Sequence, residues 1–108
     1  MLEPLGQVMV IERVEFSVVT GREAEFESVF RTAISTAAAS RGYLAHELRR
    51  SIESPSRYML RIEWATLEDH TVGFRGSAAF TQWRAQVGPF FATAPVVEHF
   101  APVTGEET

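Results

Sequence analysis

His70 and Arg75 lie five residues apart in the segment EDHTVGFRGS, residues 68–77. An imidazole changes its charge near neutral pH and can act as a base toward a phenol or an enol. A guanidinium can hold a carboxylate or stabilise an oxyanion. Helical spacing places His70 on one apolar face with Leu67 and Phe74. We therefore predict catalytic roles for both residues: His70 deprotonates or orients a phenol, and Arg75 stabilises the anion.

Both residues also have a purely structural interpretation. A single histidine on an apolar helix face is more often a core residue with satisfied hydrogen bonds than a catalyst. Arg75 would then form a surface ion pair with Glu68 or Asp69, or contact the edge of the sheet. The sequence leaves these alternatives open.

Aromatic side chains are abundant where the predicted sheet and helices meet. We assign four of them to the wall of a substrate pocket: Trp64, Phe74, Trp83 and Phe16. A chain of this length needs most of its aromatic residues for its core, so core packing is the alternative for each of them.

Other reactive sites are disfavoured by residue type and spacing. The chain has no cysteine, which excludes disulfides, thiolate nucleophiles and Cys-ligated zinc or iron–sulfur clusters. His46, His70 and His99 fall on three predicted elements without H-x-x-x-H spacing, so we expect no metal site. A G-x-S-x-G hydrolase motif is absent, and Ser77 is better explained as a helix N-cap. The GFRG segment does not directly follow a strand, which disfavours phosphate binding.

Alternating and helical periodicities predict the order strand, helix, strand, strand, helix, strand. Capping boxes at Thr20-x-x-Glu23 and Thr66-x-x-Asp69 open the helices, and Gly42 suits the left-handed end of the first. The predicted strands are 8–18, 43–53, 57–65 and 94–103, and the helices are 20–40 and 66–91 with a break at Gly73–Gly76. This order favours a ferredoxin-like α+β sandwich with both helices on one face of a four-stranded antiparallel sheet. We treat residues 1–108 as one domain with a core at 8–103 and a polar tail at 104–108.

The two faces of the predicted sheet differ in character. The apolar residues predicted to face the helices are Val10, Val14, Phe16, Leu44, Leu48, Ile52, Leu60, Ile62 and Trp64. The opposite face carries three arginines and three glutamates, namely Arg13, Glu15, Glu47, Arg49, Arg61 and Glu63, together with Met9, Ile11 and Met59. Balanced charges suit a two-fold interface in which each charge finds a partner, so we predict a homodimer through this face. A solvated face is the alternative.

Bulk composition limits the remaining functions. With 45% hydrophobic and 22% charged residues and a net charge of −4, the chain lacks the basic surface expected of a nucleic-acid-binding protein. No stretch approaches the roughly 20 apolar residues of a membrane span. The first residues lack a basic region and a cleavage motif, so we expect a cytoplasmic protein.

The segment RYMLRIEWATLEDHTVGFRGSAAFTQWRAQVGPFF, with VEHF near the end of the chain, resembles the antibiotic biosynthesis monooxygenase (ABM) domain family over residues 8–103. The resemblance implies a dimeric α/β barrel of two ferredoxin-like protomers, each with its own pocket. It also implies a small monooxygenase that oxidises an aromatic phenol or hydroquinone with O2 and without a cofactor. The alternative function is a non-catalytic dimeric module that binds a small ligand or acts in stress responses.

The haem-degrading branch of that family is a less favoured alternative. The resemblance aligns Trp83 with that branch's tryptophan, but it places Val14 at the asparagine position and Thr93 at about the position of the axial histidine. The chain contains no asparagine at all, so no asparagine-dependent mechanism transfers to it.

Overall fold

The computed structural model describes residues 8–103. The predicted polar tail at 104–108 lies outside the described residues. The elements in chain order are β1 (Val10–Ser17), α1 (Glu23–Ala38), β2 (Tyr43–Arg50), β3 (Arg57–Trp64), a π-helical turn (Asp69–Phe74), α2 (Ala78–Val87), a 3₁₀ turn (Gly88–Phe90) and β4 (Val96–Phe100). The strands form one antiparallel sheet in the order β2-β3-β1-β4, with α1 and α2 packed on one face. The predicted ferredoxin-like α+β fold is confirmed. No helix among the described residues is long and apolar enough to cross a membrane.

The sheet register brings distant residues of the predicted helix-facing rows together. β1 pairs with β3 so that Val10 is opposite Trp64 and Val14 is opposite Leu60. β4 pairs with the other edge of β1, which places His99 opposite Glu12. Because side chains alternate along a strand, Glu12 and His99 both point toward the helices.

Two predicted helix-facing residues are exposed instead. Leu44 is 53% exposed because a β-bulge between Tyr43 and Ala45 shifts the alternation at the start of β2. Ile52 is 91% exposed because β2 ends at Arg50, before the predicted residue 53. After the bulge, the helix-facing side chains of β2 are His46, Leu48 and Arg50. On β3 they are paired in that order with Ile62, Leu60 and Tyr58.

The predicted helix signals have mixed outcomes. The first capping box is wrong: α1 begins at Glu23, and its N-cap residue, Arg22, makes no side-chain cap. At the second box, the hydroxyl of Thr66 accepts the Asp69 amide at 3.1 Å, but a π-helical turn follows rather than an α-helix. Ser77 caps α2 as predicted, accepting the Phe80 amide.

The two helices bury different amounts of their apolar faces. The predicted α1 face is confirmed as core and consists of Phe26, Phe30, Ala33, Ile34 and Ala37. On α2 only Val87 is buried, and Phe80 and Trp83 remain half-buried. The predicted helix end at residue 91 is replaced by the 3₁₀ turn that contains Pro89. The incomplete burial of α2 leaves space between this helix and the sheet.

Gly21 and Gly42 have positive φ angles of 93° and 84°, so alanine at either position adopts a strained backbone. A Cβ at Gly21 has no neighbour within 4 Å, whereas one at Gly42 would lie 2.0 Å from Asp69 Oδ2. We expect Gly21→Ala to lower the free energy of unfolding by about 1 kcal/mol. Gly42→Ala should cost at least about 1 kcal/mol more, because Asp69 must also move. Urea denaturation measures both, and equal losses in the two variants would contradict the close approach of Asp69.

Candidate active site

Glu12 is a buried carboxylate in an otherwise apolar row of β1, with 6% of its surface exposed. The indole Nε1–H of Trp64, on the neighbouring strand β3, donates a hydrogen bond to Glu12 Oε1 at 2.9 Å. Glu12 Oε2 lies 3.3 Å from Nε2 of His70. Burying a carboxylate is costly unless polar partners replace its water, and these two side chains supply them.

His70 lies on the π-helical turn and is 2% exposed. Its ring stacks against Trp64 at a centroid distance of 5.4 Å and against Phe74 at 6.3 Å. Its Nδ1 lies 2.7 Å from Nε2 of His99, within hydrogen-bond distance. Both ring nitrogens of His70 therefore face protein groups, Glu12 on one side and His99 on the other.

The π-helical turn determines how His70 and Arg75 are arranged. The Arg75 amide donates to the His70 carbonyl at 3.0 Å, an i to i−5 bond that widens the turn. Phe74 is buried beside His70, whereas Arg75 is exposed. Within residues 8–103, no carboxylate lies at ion-pair distance from the Arg75 guanidinium, so the alternative pairing with Glu68 or Asp69 does not form.

Burial controls the protonation of this cluster. It raises the pKa of Glu12 above its ordinary value, against the lowering effects of the Trp64 hydrogen bond and the Arg75 charge. Burial, followed by the nearby His99 and Arg75, lowers the pKa of His70 to about 3. Burial and then Arg75 also lower the pKa of His99. Near neutral pH His70 is therefore a neutral imidazole, with one nitrogen that donates and one that accepts.

A cavity of about 710 Å³ lies between the sheet and the helices. Its aromatic lining consists of Phe16, Phe26, Phe30, Phe74, Phe80, Trp83 and Phe91. Glu12, His70 and Arg75 add ionisable groups to the lining, and Arg84 lines the cavity near Phe80. A pocket with an apolar lining and a few convergent polar groups is typical of a small-molecule site.

The structure brings most of the predicted site residues to this cavity. His70, Arg75, Phe74, Trp83 and Phe16 all line it. Trp64 does not, because it is fully buried behind His70 and forms part of the core. Its predicted place in the pocket wall is corrected to a position that supports Glu12.

Sequence reasoning missed Glu12 and His99. The alternation of β1 already places Glu12 in a row with Val10, Val14 and Phe16, and a lone carboxylate in an apolar row is a signal of a buried polar site. His99 alternates in the same way with Val97. Their contact with His70 depends on the pairing of β4 with β1, which no local pattern reveals. Among the described residues, no three His, Asp or Glu side chains form a metal-binding group.

Comparison with known proteins gives three concordant results. Residues 9–86 match the family described as antibiotic biosynthesis monooxygenase. The uncharacterized protein YczJ of Bacillus subtilis is 42% identical over 95 residues, which is 88% of this chain and 100% of that protein. A crystal structure of a Bordetella bronchiseptica protein, provisionally named an antibiotic biosynthesis monooxygenase, superposes with a TM-score of 0.85 at 42% identity, covering 90% of this chain and 99% of the other.

A more distant structural neighbour is SnoaB of Streptomyces nogalater, described as a cofactor-independent oxygenase. It shares 24% identity with a TM-score of 0.74, covering 93% of this chain and 99% of SnoaB. At that identity the similarity shows a shared fold.

Removing the buried imidazole should change how stability depends on pH. The pKa of His70 is lowered in the fold, so the unfolded chain binds more protons between pH 6.5 and about 3 and stability falls as the pH drops through that window. The lowered pKa of His99 likewise makes stability fall as the pH drops, whereas the raised pKa of Glu12 makes stability rise as the pH drops. On acidification below pH 6.5, we expect the free energy of unfolding of His70→Gln to fall less steeply than that of the unaltered protein. The two slopes should differ by up to about 1.4 kcal/mol per pH unit.

Urea denaturation at a series of pH values measures this difference. His46→Gln is the matched control, since His46 is an exposed histidine of β2 that does not line the cavity. Parallel pH profiles for His70→Gln and the unaltered protein would contradict the burial of a neutral His70.

Proposed function

This chain belongs to the antibiotic biosynthesis monooxygenase family, and we propose that it is a cofactor-independent monooxygenase that oxidises a small aromatic phenol or hydroquinone with O2. The proposal rests chiefly on one observation: an aromatic cavity whose wall also carries Glu12, His70 and Arg75. Its volume of about 710 Å³ suits a ligand of one to a few rings. SnoaB, a protein of the same fold described as a cofactor-independent oxygenase, supports the reaction class.

The aromatic wall would hold the flat face of such a substrate. Phe16 and Phe74 are buried, whereas Trp83 is half-buried and meets Phe30 edge to face at 5.8 Å. Edge and face contacts of this kind favour aromatic rings over aliphatic chains of the same size. An apolar enclosure also strengthens the electrostatic effect of the few charges within it.

The ionisable groups would promote the loss of the phenolic proton. Glu12 and His70 form the acid–base part of the site, and Arg75 stabilises the resulting phenolate. A phenolate gives electrons to O2 far more readily than a phenol does. With a phenol that has an unsubstituted para carbon, one oxygen atom of O2 enters the ring and the other leaves as water, yielding a quinone. That reaction balances without an external reductant.

The cavity residues do not fit haem. Val14 and Thr93 occupy the positions that correspond to the asparagine and axial histidine of the haem-degrading branch, and both line the cavity without a nitrogen ligand. The ring nitrogens of His70, the one histidine among the lining residues, face Glu12 and His99.

We also propose a homodimer through the sheet face opposite the helices. Within the protomer the charges of this face pair locally: Arg61 with Glu63 at 3.1 Å, Arg49 with Glu47 at 2.7 Å, and Arg13 with Glu15 at 2.5 Å. The same face presents partly exposed apolar side chains, which include Met9, Ile11, Met59, Val96 and Phe100. Paired charges around apolar area suit a self-complementary surface.

Oxygen uptake tests the proposed reaction. We expect consumption of O2 with some members of a panel of phenols and hydroquinones, with one quinone formed per O2 and no hydrogen peroxide. Arg75→Gln should lower kcat/KM by roughly 10- to 100-fold, the loss of one charge-assisted hydrogen bond of about 1.5–3 kcal/mol to the anion. Arg41→Gln is the control, because Arg41 is exposed and does not line the cavity. Retention of a phenol without O2 uptake would instead identify the non-catalytic binding module.

Reversing the charge of Arg61 tests the dimer. Arg61→Glu places three carboxylates close together. Glu63 lies two residues further along β3 on the same face, and Glu47 is opposite residue 61 on β2. We expect at least a tenfold weaker dimer by sedimentation equilibrium. Arg31→Glu, on the exposed side of α1, makes the same change in net charge and should leave the dimer unchanged. Equal association of the two variants would mean that the charged face is solvated.

A further inference from the structure

We propose that Glu12, rather than His70, exchanges a proton with the substrate, and that His70 and His99 form a relay that connects Glu12 with the solvent. This inference rests on the proposed function, because it assigns the acid–base step of that reaction. It makes Glu12 a catalytic residue, and His70 and His99 groups that set its protonation state.

The surroundings of His70 limit its direct contact with a ligand. Its Nδ1 faces His99 at 2.7 Å and its Nε2 faces Glu12 at 3.3 Å, while Trp64 and Phe74 cover the ring. Glu12 lines the cavity and has one protein partner on each oxygen. A carboxylate oxygen has two acceptor sites, so each oxygen keeps one for a substrate hydroxyl.

Trp64 gives the carboxylate a fixed orientation. An indole N–H can only donate, so Oε1 is an acceptor in every protonation state of Glu12. A proton shared with the histidines must therefore reside on the His70 side, at Oε2. The 3.3 Å contact needs to shorten by about 0.3 Å and to align before it becomes an ordinary hydrogen bond.

The three side chains have two consistent arrangements of protons. With Glu12 ionised, His99 Nε2–H donates to His70 Nδ1, and His70 Nε2–H donates to Glu12 Oε2. With Glu12 protonated, Oε2–H donates to His70 Nε2, and His70 Nδ1–H donates to His99 Nε2. Passing from the second arrangement to the first moves one proton along each contact and releases one from His99 Nδ1 to water. No ring has to rotate and no imidazolium has to persist.

His99 is placed to complete this path. It is half-buried on β4, an edge strand of the sheet, so it lies between the buried pair and the surface. Among residues 8–103 its Nδ1 has no hydrogen-bond partner. Arg75 is the other charged group that faces the cluster, and it favours the ionised form of Glu12.

The catalytic step follows from the first arrangement. The substrate O–H bond breaks, its proton bonds to a free acceptor site of Glu12, and the electron pair stays on the phenolate oxygen near Arg75. O2 then bonds to the para carbon of the ring, and the O–O bond breaks. The outer oxygen atom leaves as water, taking the one proton back from Glu12 and a second from the para carbon, which becomes the new quinone carbonyl. The raised pKa of Glu12 makes it a stronger base than an exposed carboxylate.

Nitrogen NMR of the histidine rings tests the relay without any substrate. The amide of a Glu12→Gln variant keeps its carbonyl toward Trp64 and must direct its NH2 at His70 Nε2. We expect both His70 and His99 to carry their protons on Nδ1 in this variant. In the unaltered protein above the pKa of Glu12, both should carry them on Nε2, and both should switch together on titration. Unchanged tautomers in Glu12→Gln, or His99 switching independently of His70, would overturn the relay.

Binding of 4-nitrophenol tests the substrate side, since its phenolate is yellow and its phenol form is colourless. Under mildly acidic conditions we expect the unaltered protein and the exposed control Glu25→Gln to bind it as the yellow phenolate. Glu12→Gln should bind it in the colourless form. A yellow complex in Glu12→Gln that is lost in His70→Gln would instead make His70 the base. If the probe binds to no variant, the aromatic pocket of the proposed function fails, and the tautomer measurement still decides the relay.

Discussion

The cavity is organised around the buried carboxylate of Glu12. A carboxylate at this depth is tolerated only because Trp64 and His70 replace the water that it loses on folding. Each of these partners is itself held by packing: Trp64 is fully buried, and the rings of His70, Trp64 and Phe74 pack against one another in a three-membered cluster. The polar contacts and the aromatic core are therefore one structure, and neither can be altered without affecting the other.

The fold brings these groups together from four separate elements. Glu12 is on β1, Trp64 on β3, His70 on the π-helical turn and His99 on β4. The antiparallel register of the sheet fixes the positions of Glu12, Trp64 and His99, because β1 lies between β3 and β4. The fourth depends on the widened turn, in which the Arg75 amide bonds to the His70 carbonyl. A π-helical turn is rare and is often found at functional sites, and here it places an imidazole on the cavity wall and an exposed guanidinium beside it.

Local signals in the sequence predicted the fold well and the site in part. Alternation along β1 and β3, the helical spacing of α1 and the Ser77 cap are confirmed, because each depends on a few neighbouring residues. Gly42 has the predicted positive φ, but α1 ends at Ala38 with Ala39 as its C-cap, so Gly42 does not end the helix as predicted. The predicted burial of Leu44 and Ile52 was wrong. A bulge shifts the alternation at Leu44, and β2 ends before it reaches Ile52. The contact of His70 with His99 spans 29 residues and exists only once β4 has paired with β1, so no local pattern could predict it. Glu12 was open to prediction from its apolar row, whereas the identity of its partners was not.

The division of the cavity wall between sheet and helix determines which substitutions the cavity of this protein tolerates. Glu12 and His99 lie on strands and His70 stacks on Trp64 of β3, so hydrogen bonding and packing hold these groups within narrow limits. The opposite wall comes from α2, whose Phe80 and Trp83 are only half-buried and therefore less constrained by the core. Substitutions on α2 can reshape the cavity without leaving a buried charge unpaired, whereas substitutions at Glu12 or His70 cannot. In this protein, the proposed substrate preference can therefore change through α2 while the proposed proton chemistry stays with the buried cluster.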